Sequence, residues 1–262
     1  MAASSSARLE AAVLTRPPRL LHALLPGCEW TGPATTPAGA PVVYLTFDDG
    51  PIPEETPWVL EQLAIFNAKA TFFCVGENLV RYPEIARAAL AAGHRFGNHT
   101  HQHRSAWATA RPAYLADIAV CQTHIDKLVQ SFPEKPLTAP HSPLPGSRSP
   151  IPTFRSPLTA SHSPLPASRS SLPLFRPPYG RLTWPLLPTL RRDFRVVMWS
   201  VLTRDYDPGL SPESCLRFAL EAIRAGDVVV FHDSRKASAR LRFVLPRVLT
   251  HLAGQGFQFA TL

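Results

Sequence analysis

The sequence predicts an α/β protein, a parallel sheet or barrel of about seven strands assembled from successive βα units. Three observations carry that expectation. From residue 41 onward, apolar runs rich in β-branched side chains alternate with longer segments of helical period. Several of these runs are apolar at consecutive positions, as strands covered on both faces must be. The polar motifs fall where the runs end, on the rim that carries the chemistry in such folds.

In chain order, residues 1–40 form a mixed segment whose apolar stretches are broken by Arg16, Pro17, Pro18 and Arg19. That pattern predicts a short amphipathic arm and argues against a signal-peptide core, so no export signal is evident. PVVYLTF (41–47) is the first strand, followed by a helix over 56–66, strand ATFFCV (70–75), a helix over 79–92 and strand HRFGNH (94–99). A helix over 112–130 precedes LPLFR (172–176), a helix over 183–192 and FRVVMWSV (194–201). The helix over 211–224 opens on Ser211-Pro212-Glu213, a capping side chain followed by a first-turn proline and an acid. DVVVFH (227–232), a helix over 241–253 and FQFATL (257–262) complete the series.

Residues 133–173 break the rhythm: proline and serine dominate, and no acid follows Glu134. LTAPHSPLPGSRSPIPTFRSP (137–157) matches LTASHSPLPASRSSLPLFRPP (158–178) at 15 of 21 positions, a tandem duplication. Proline at this density excludes helix and ladder alike, and two copies without apolar periodicity cannot stack a core. The segment is expected to be a disordered or polyproline-like insertion at the surface, with docking through PxxP as its functional alternative. The duplication also sets Phe154-Arg155-Ser156-Pro157 against Phe175-Arg176-Pro177-Pro178 as rival copies of one phrase.

At 262 residues and 28.8 kDa the chain can bury the core of one large α/β domain or two small ones. Its net charge of +8 is spread without a run of five or six basic residues, which argues against nucleic acid and fits a polyanionic or cell-wall substrate equally well. No run of eighteen apolar residues suggests a membrane span. Cys28, Cys74, Cys121 and Cys215 lack CxxC or CxxH spacing, a pattern of buried thiols in a reducing compartment.

Two motifs could carry chemistry. Thr46-Phe47-Asp48-Asp49-Gly50-Pro51 ends the first strand, and its adjacent carboxylates repel unless a cation or a hydrogen-bond network keeps them ionised. Asp-Asp-Gly-Pro alone is equally a turn. His99 and His103 in HTHQH (99–103) have i, i+4 spacing, which on a helical turn lets both imidazoles reach one metal while His101 points elsewhere. Thr100 stands where a metalloprotease HExxH carries its glutamate. With one carboxylate from Asp48-Asp49 as third ligand and the other left as base, the metal keeps an open position for water, and the chemistry implied is hydrolysis of an acyl bond.

The chain resembles the polysaccharide deacetylases of carbohydrate esterase family 4, the NodB-homology type. The family markers occur in order over residues 41–262: TFDDGP (46–51), HTHQH (99–103), RPPYG (176–180), MWSVLTRDYD (198–207) and VFH (230–232). The resemblance implies a distorted (β/α) barrel that removes N-acetyl groups from an N-acetylglucosamine-type glycan with a divalent metal, zinc first, then cobalt, nickel or iron. It implies that Asp49, His99 and His103 bind the metal and that Asp48 is the general base, aimed by Arg176. The backbone N–H of Tyr179 would stabilise the oxyanion, and His232, oriented by Asp205, would protonate the departing amine. The chain departs from the family at Leu202, where many relatives carry an acid, leaving Asp205 alone to tune His232. Tyr206 replaces a tryptophan, Val230 a leucine and His101 an aromatic residue. An amidase acting on a small C–N bond, and a non-catalytic protein docking through its proline-rich insert, are the alternatives. Exposed aromatics at the cleft, such as Trp107 or Trp184, would favour a glycan.

Overall fold

The computed structural model describes residues 15–132 and 169–262. Along them run α1 (Arg19–Leu24), β1 (Val42–Asp48), α2 (Thr56–Ile65), β2 (Ala70–Cys74), α3 (Gly76–Arg81), α4 (Pro83–Ala91), β3 (Arg95–Asn98) and α5 (Arg111–Gln130). After the segment outside the described residues come β4 (Leu174–Phe175), α6 (Leu187–Asp193), β5 (Arg195–Val196), β6 (Val201–Leu202), α7 (Pro212–Ala222), β7 (Val228–His232), α8 (Ser238–Gly254) and β8 (Gln258–Phe259). The strands are parallel and order as β5-β4-β3-β2-β1-β7-β6, an open, distorted (β/α) barrel. The expected insertion, apart from its last residues, lies outside the described residues.

β1 is central because every one of its residues is buried. Leu45 faces Ala70 of β2 on one side and Val229 of β7 on the other. Outside the sheet, Phe47 stacks between Phe72 and Phe231 at centroid separations of 5.0 and 5.7 Å, and Val244, Leu245 and Leu249 of α8 join the same core. Each such side chain contributes about 1.5–3 kcal/mol on leaving water, which anchors the strands whose ends form the site.

Several boundaries differ from the sequence expectation. FRVVMWSV (194–201) is a single extended stretch that changes partners: Val197 donates to Phe175 at one edge of the sheet, Ser200 to Val228 at the other. Its alternating apolar pattern is satisfied by either neighbour, so periodicity alone gives one strand. The helix expected over 79–92 breaks at Tyr82 (φ −130°, ψ 55°), because a residue before proline is driven out of the helical region. The helix over 183–192 begins with a 3₁₀ turn at Trp184–Leu186. FQFATL contributes only Gln258–Phe259, paired to the start of β1 below the point where β2 takes over.

Residues 15–40 are built into the barrel. Glu29 donates to Val196 and accepts from Met198, while Gly32 donates to Gly226, so this stretch fills the gap between the two sheet edges. Arg16 clamps the buried Asp227 with both guanidinium nitrogens at 2.8 and 3.1 Å. The closure leaves the carboxyl ends of β1, β3, β4 and β7 on one rim, with Asp48 opposite His232 and Asn98 opposite Phe175.

Candidate active site

Asp48 is the last residue of β1 and is 4% exposed. The chain then turns sharply: Asp49 has φ +84° and the Gly50–Pro51 peptide is cis. Two side chains hold this turn. Asn78 donates to the Asp49 carbonyl at 2.8 Å, and Asp233 accepts from the Gly50 N–H at 3.0 Å and from the Thr56 hydroxyl at 2.5 Å. A Cβ on Gly50 would fall 2.0 Å from Asp233 Oδ2, so only glycine fits. Burial, with the nearby Asp49 charge, pushes the Asp233 carboxyl up to about 8 against the lowering effect of the Thr56 hydroxyl.

The histidine pair converges without a helix. After β3, Thr100 (φ +65°) and His103 (φ +53°) adopt left-handed backbone, and the loop winds on two side chains. Asn98 accepts from the Thr100 N–H, and buried Asp117 of α5 accepts from the N–H groups of His101 and Gln102 at 3.0 and 3.1 Å. His99 Nε2 and His103 Nε2 thereby come within 3.8 and 3.1 Å of Asp49 Oδ1. The helical-turn expectation is corrected, although the i, i+4 pair does meet: in this loop it is the positive-φ residues, not helical pitch, that bring the rings together.

Arg176 follows β4 and is fully buried. Its Nη1 donates to Asp48 Oδ1 and to Thr46 Oγ1, both at 2.7 Å, and Nη2 donates to the Met198 carbonyl at 2.9 Å. The guanidinium lies 4.0 Å over the Phe73 ring. Its own carbonyl accepts from His99 Nδ1 at 2.8 Å. Next in sequence, Tyr179 sits at φ +60° in a 3₁₀ turn, its side chain 60% exposed and its ring edge-on to His103 at 4.7 Å.

His232 ends β7 across the rim. Asp205, 0% exposed, accepts from His232 Nδ1 through Oδ1 and from its backbone N–H through Oδ2, both at 2.8 Å. Burial alone would depress the imidazole, but the Asp205 charge and hydrogen bond, joined by Asp49 and Asp48, raise it to about 9. The tuning does not therefore rest on Asp205 alone, as the departure at Leu202 suggested. Asp48, Asp49, His99, His103, Tyr179 and His232 all line one cavity of about 570 Å³.

The donor set suits a divalent cation. Asp49, His99 and His103 each offer a ligand atom, all within 4.8 Å of one another. A carbonyl only accepts, so His99 Nδ1 carries the proton and Nε2 keeps its lone pair facing Asp49. Burial also pushes the His99 imidazole down to about 4, favouring the neutral form that a metal requires. Burial works against ionisation of Asp49, yet the hydrogen bond from His103 and the surrounding imidazoles hold its carboxyl below the ordinary range.

Residues 35–146 match the family described as polysaccharide deacetylase. A chitooligosaccharide deacetylase from a Bradyrhizobium species is 32% identical over 198 residues, covering 75% of this chain and 72% of the relative. The chain belongs to the polysaccharide deacetylase family. A peptidoglycan-N-acetylglucosamine deacetylase from Bacillus cereus is 28% identical over 230 residues, 86% of this deacetylase and 88% of the relative. The crystal structure of a peptidoglycan N-acetylglucosamine deacetylase in complex with 4-naphthalen-1-yl-N-oxidanyl-benzamide superposes with a TM-score of 0.68 at 26% identity, covering 92% and 93% of the two chains.

Within this deacetylase the departing residues have definite places. His101 faces away from the cluster and stacks on His124 at 5.5 Å. Tyr206 keeps an aromatic edge on His232 at 4.9 Å, and Leu202 and Val230 line the cavity. Sequence reasoning missed Thr46, Asn98, Asp117 and Asp233. The acid after VFH was a visible signal for Asp233, whereas nothing in the sequence links Asp117 to a loop 16 residues away.

Proposed function

We propose that this chain removes N-acetyl groups from a glycan containing N-acetylglucosamine, with Asp49, His99 and His103 holding a divalent metal such as zinc. The observation that carries this reading is the fully buried Arg176 bonded at 2.7 Å to Asp48 in the cavity that also contains the ligand triad. When bound, the cation supplies Lewis-acid polarisation of the acetyl carbonyl and lowers the pKa of a bound water. Asp48, kept ionised and aimed by a permanent planar donor, takes the proton from the attacking water. The Tyr179 backbone N–H donates to the developing oxyanion. His232 is protonated at neutral pH, and with Nδ1–H committed to Asp205 its Nε2–H is left to protonate the departing amine.

Names of relatives support a glycan, and so does the surface. A second cavity of about 270 Å³ shares Tyr179, Gly180 and Trp199 with the first and is lined by Trp107 and Trp184, which are 66% and 62% exposed. Flat aromatic faces beside the reacting centre fit sugar rings and have no use in an enzyme of small amides. The non-catalytic alternative expected an insert that displaces Arg176 or Tyr179, and Arg176 is bonded to Asp48. We assign residues 41–262 as the deacetylase domain, with 133–173 as an insertion within it and 1–40 as the arm.

Acetate release from chitooligosaccharides tests the proposal, measured with and without chelator, after metal is restored, and for Asp48→Asn. Chelator-sensitive release that metal restores and Asp48→Asn abolishes is expected. Release that is indifferent to chelator, or none from any glycan, overturns it.

A further inference from the structure

The cavity that contains Asp48, Asp49, His99, His103 and His232 also carries two cations that the proposed chemistry leaves unused. Arg181 and Lys236 both line it and both are exposed. Among the described residues no carboxylate pairs with either. Their basic neighbours are neutralised: Arg235 pairs with Glu54 at 2.6 Å, Arg204 with Asp207 at 2.6 Å, and Arg104 lies 3.7 Å from Asp117. The two unpaired cations are therefore particular to the cavity mouth and not a general property of a basic surface.

Each is also held in place. The Arg181 guanidinium lies 5.0 Å from the centroid of Trp107 and 5.4 Å from that of Tyr179, and Trp107 is itself fixed by donating its Nε1–H to the Leu182 carbonyl at 2.9 Å. Stacking on aromatic faces orients a guanidinium while leaving its edge N–H groups to bind an anion. On the other side, Lys236 Nζ lies 5.6 Å from the ring of Tyr206, which packs against His232. The cations thus stand beside the oxyanion turn and beside the proposed acid. An anion between them would not be the reacting acetyl group. It would belong to a neighbouring part of the same ligand.

We infer that Arg181 and Lys236 recognise a carboxylate on a sugar unit adjoining the one that is deacetylated, so that the enzyme selects an acidic glycan over a neutral one. The inference rests on the deacetylase reading above. A singly charged carboxylate is favoured over a phosphate because Asp48 and Asp49 on the cavity floor repel a second negative charge more strongly. The +8 net charge acts in the same direction at longer range, raising the encounter rate with an anionic chain.

The test compares two β-1,4-linked tetrasaccharides, one of N-acetylglucosamine only and one in which alternate units carry a lactyl ether carboxylate. kcat/KM for each is measured for wild type, Arg181→Gln, Lys236→Gln and the double variant, at low salt and in 0.3 M NaCl. Calorimetric Kd values for both glycans are measured in the metal-loaded Asp48→Asn background, where no turnover is needed. Wild type should favour the acidic glycan about three- to tenfold at low salt, through KM, as expected for two partly screened charges. That ratio should shrink in 0.3 M NaCl and approach one in the double variant. A wild-type ratio near one, or a ratio that the double variant keeps, overturns the inference while leaving deacetylation intact. If neither glycan is turned over, a Kd ratio that collapses in the double variant still upholds the carboxylate site while the proposed function falls.

Discussion

Replacing Asp205 with asparagine tests how the rim sets the proton on His232. In the wild type both carboxylate oxygens accept, one from Nδ1–H and one from the backbone N–H, each at 2.8 Å. An asparagine has a single acceptor oxygen, so its amide must face one of these donors. Facing Nδ1, it stabilises the neutral ring with the proton on Nε2. The substitution also removes the charge that most strongly opposes burial, and the imidazole should fall from about 9 toward or below its ordinary 6.5. At pH 7.5 the protonated fraction then drops from about 97% to about 10%, so kcat should fall about tenfold there and much less near pH 5.5. The alkaline limb of the kcat profile should move down by about 2 pH units. Stability moves in the same window. A basic group whose folded pKa is raised contributes stability that is complete below about 6.5 and is lost as pH rises through about 9, up to about 3 kcal/mol here, and Asp205→Asn should lack that slope. Acetate-release profiles and an NMR titration of the His232 ring give independent readouts. A variant whose alkaline limb and ring titration both stay near 9 would refute the electrostatic argument.

Arg176→Ala should nearly abolish acetate release and lower the unfolding free energy by about 3–5 kcal/mol, since it leaves the buried Asp48 without its partner; deletion of residues 137–157, the upstream copy of the repeat, should leave kcat largely intact. The reverse pattern in that pair of assays would show that Arg155 is the working copy. His94, buried and accepting from the Ala70 N–H through Nδ1, is pushed down to about 4 by burial and by Lys69, so it contributes stability that is complete above about 6.5 and is lost as pH falls through about 4. Denaturant titrations of wild type and His94→Gln should diverge across that interval by up to about 3 kcal/mol, and parallel curves would count against it. Thr56→Val removes the hydroxyl that bonds Asp233 and should cost about 1–3 kcal/mol by thermal unfolding, with weakened metal binding as the DDGP turn loosens.

How far the sequence disclosed this arrangement depends on the range over which each constraint acts. The strands were legible because burial on both faces demands unbroken apolar runs, and β1 meets that demand at every position. Asp48, Asp49, His99, His103, Arg176 and His232 were legible because each stands at a strand end, where the polar residue interrupts the run. Partner choice was not. Nothing in FRVVMWSV distinguishes a strand that keeps one neighbour from a stretch that leaves β4 for β7, since both neighbours offer the same apolar face. Nor did HTHQH reveal its backbone: the i, i+4 spacing suggested a helical turn, while the structure reaches the same convergence through left-handed Thr100 and His103 held by Asn98 and Asp117. The choice between Arg155 and Arg176 shows the same division. Their local phrases are near copies, so local chemistry cannot separate them. What places Arg176 beside Asp48 is its position one residue after β4, whose neighbour β3 carries His99 to the same rim and whose carbonyl fixes the His99 ring. A side chain at that register is bound on both sides by elements that the site itself requires, which is why its loss should be felt in the metal ligands as well as in the base.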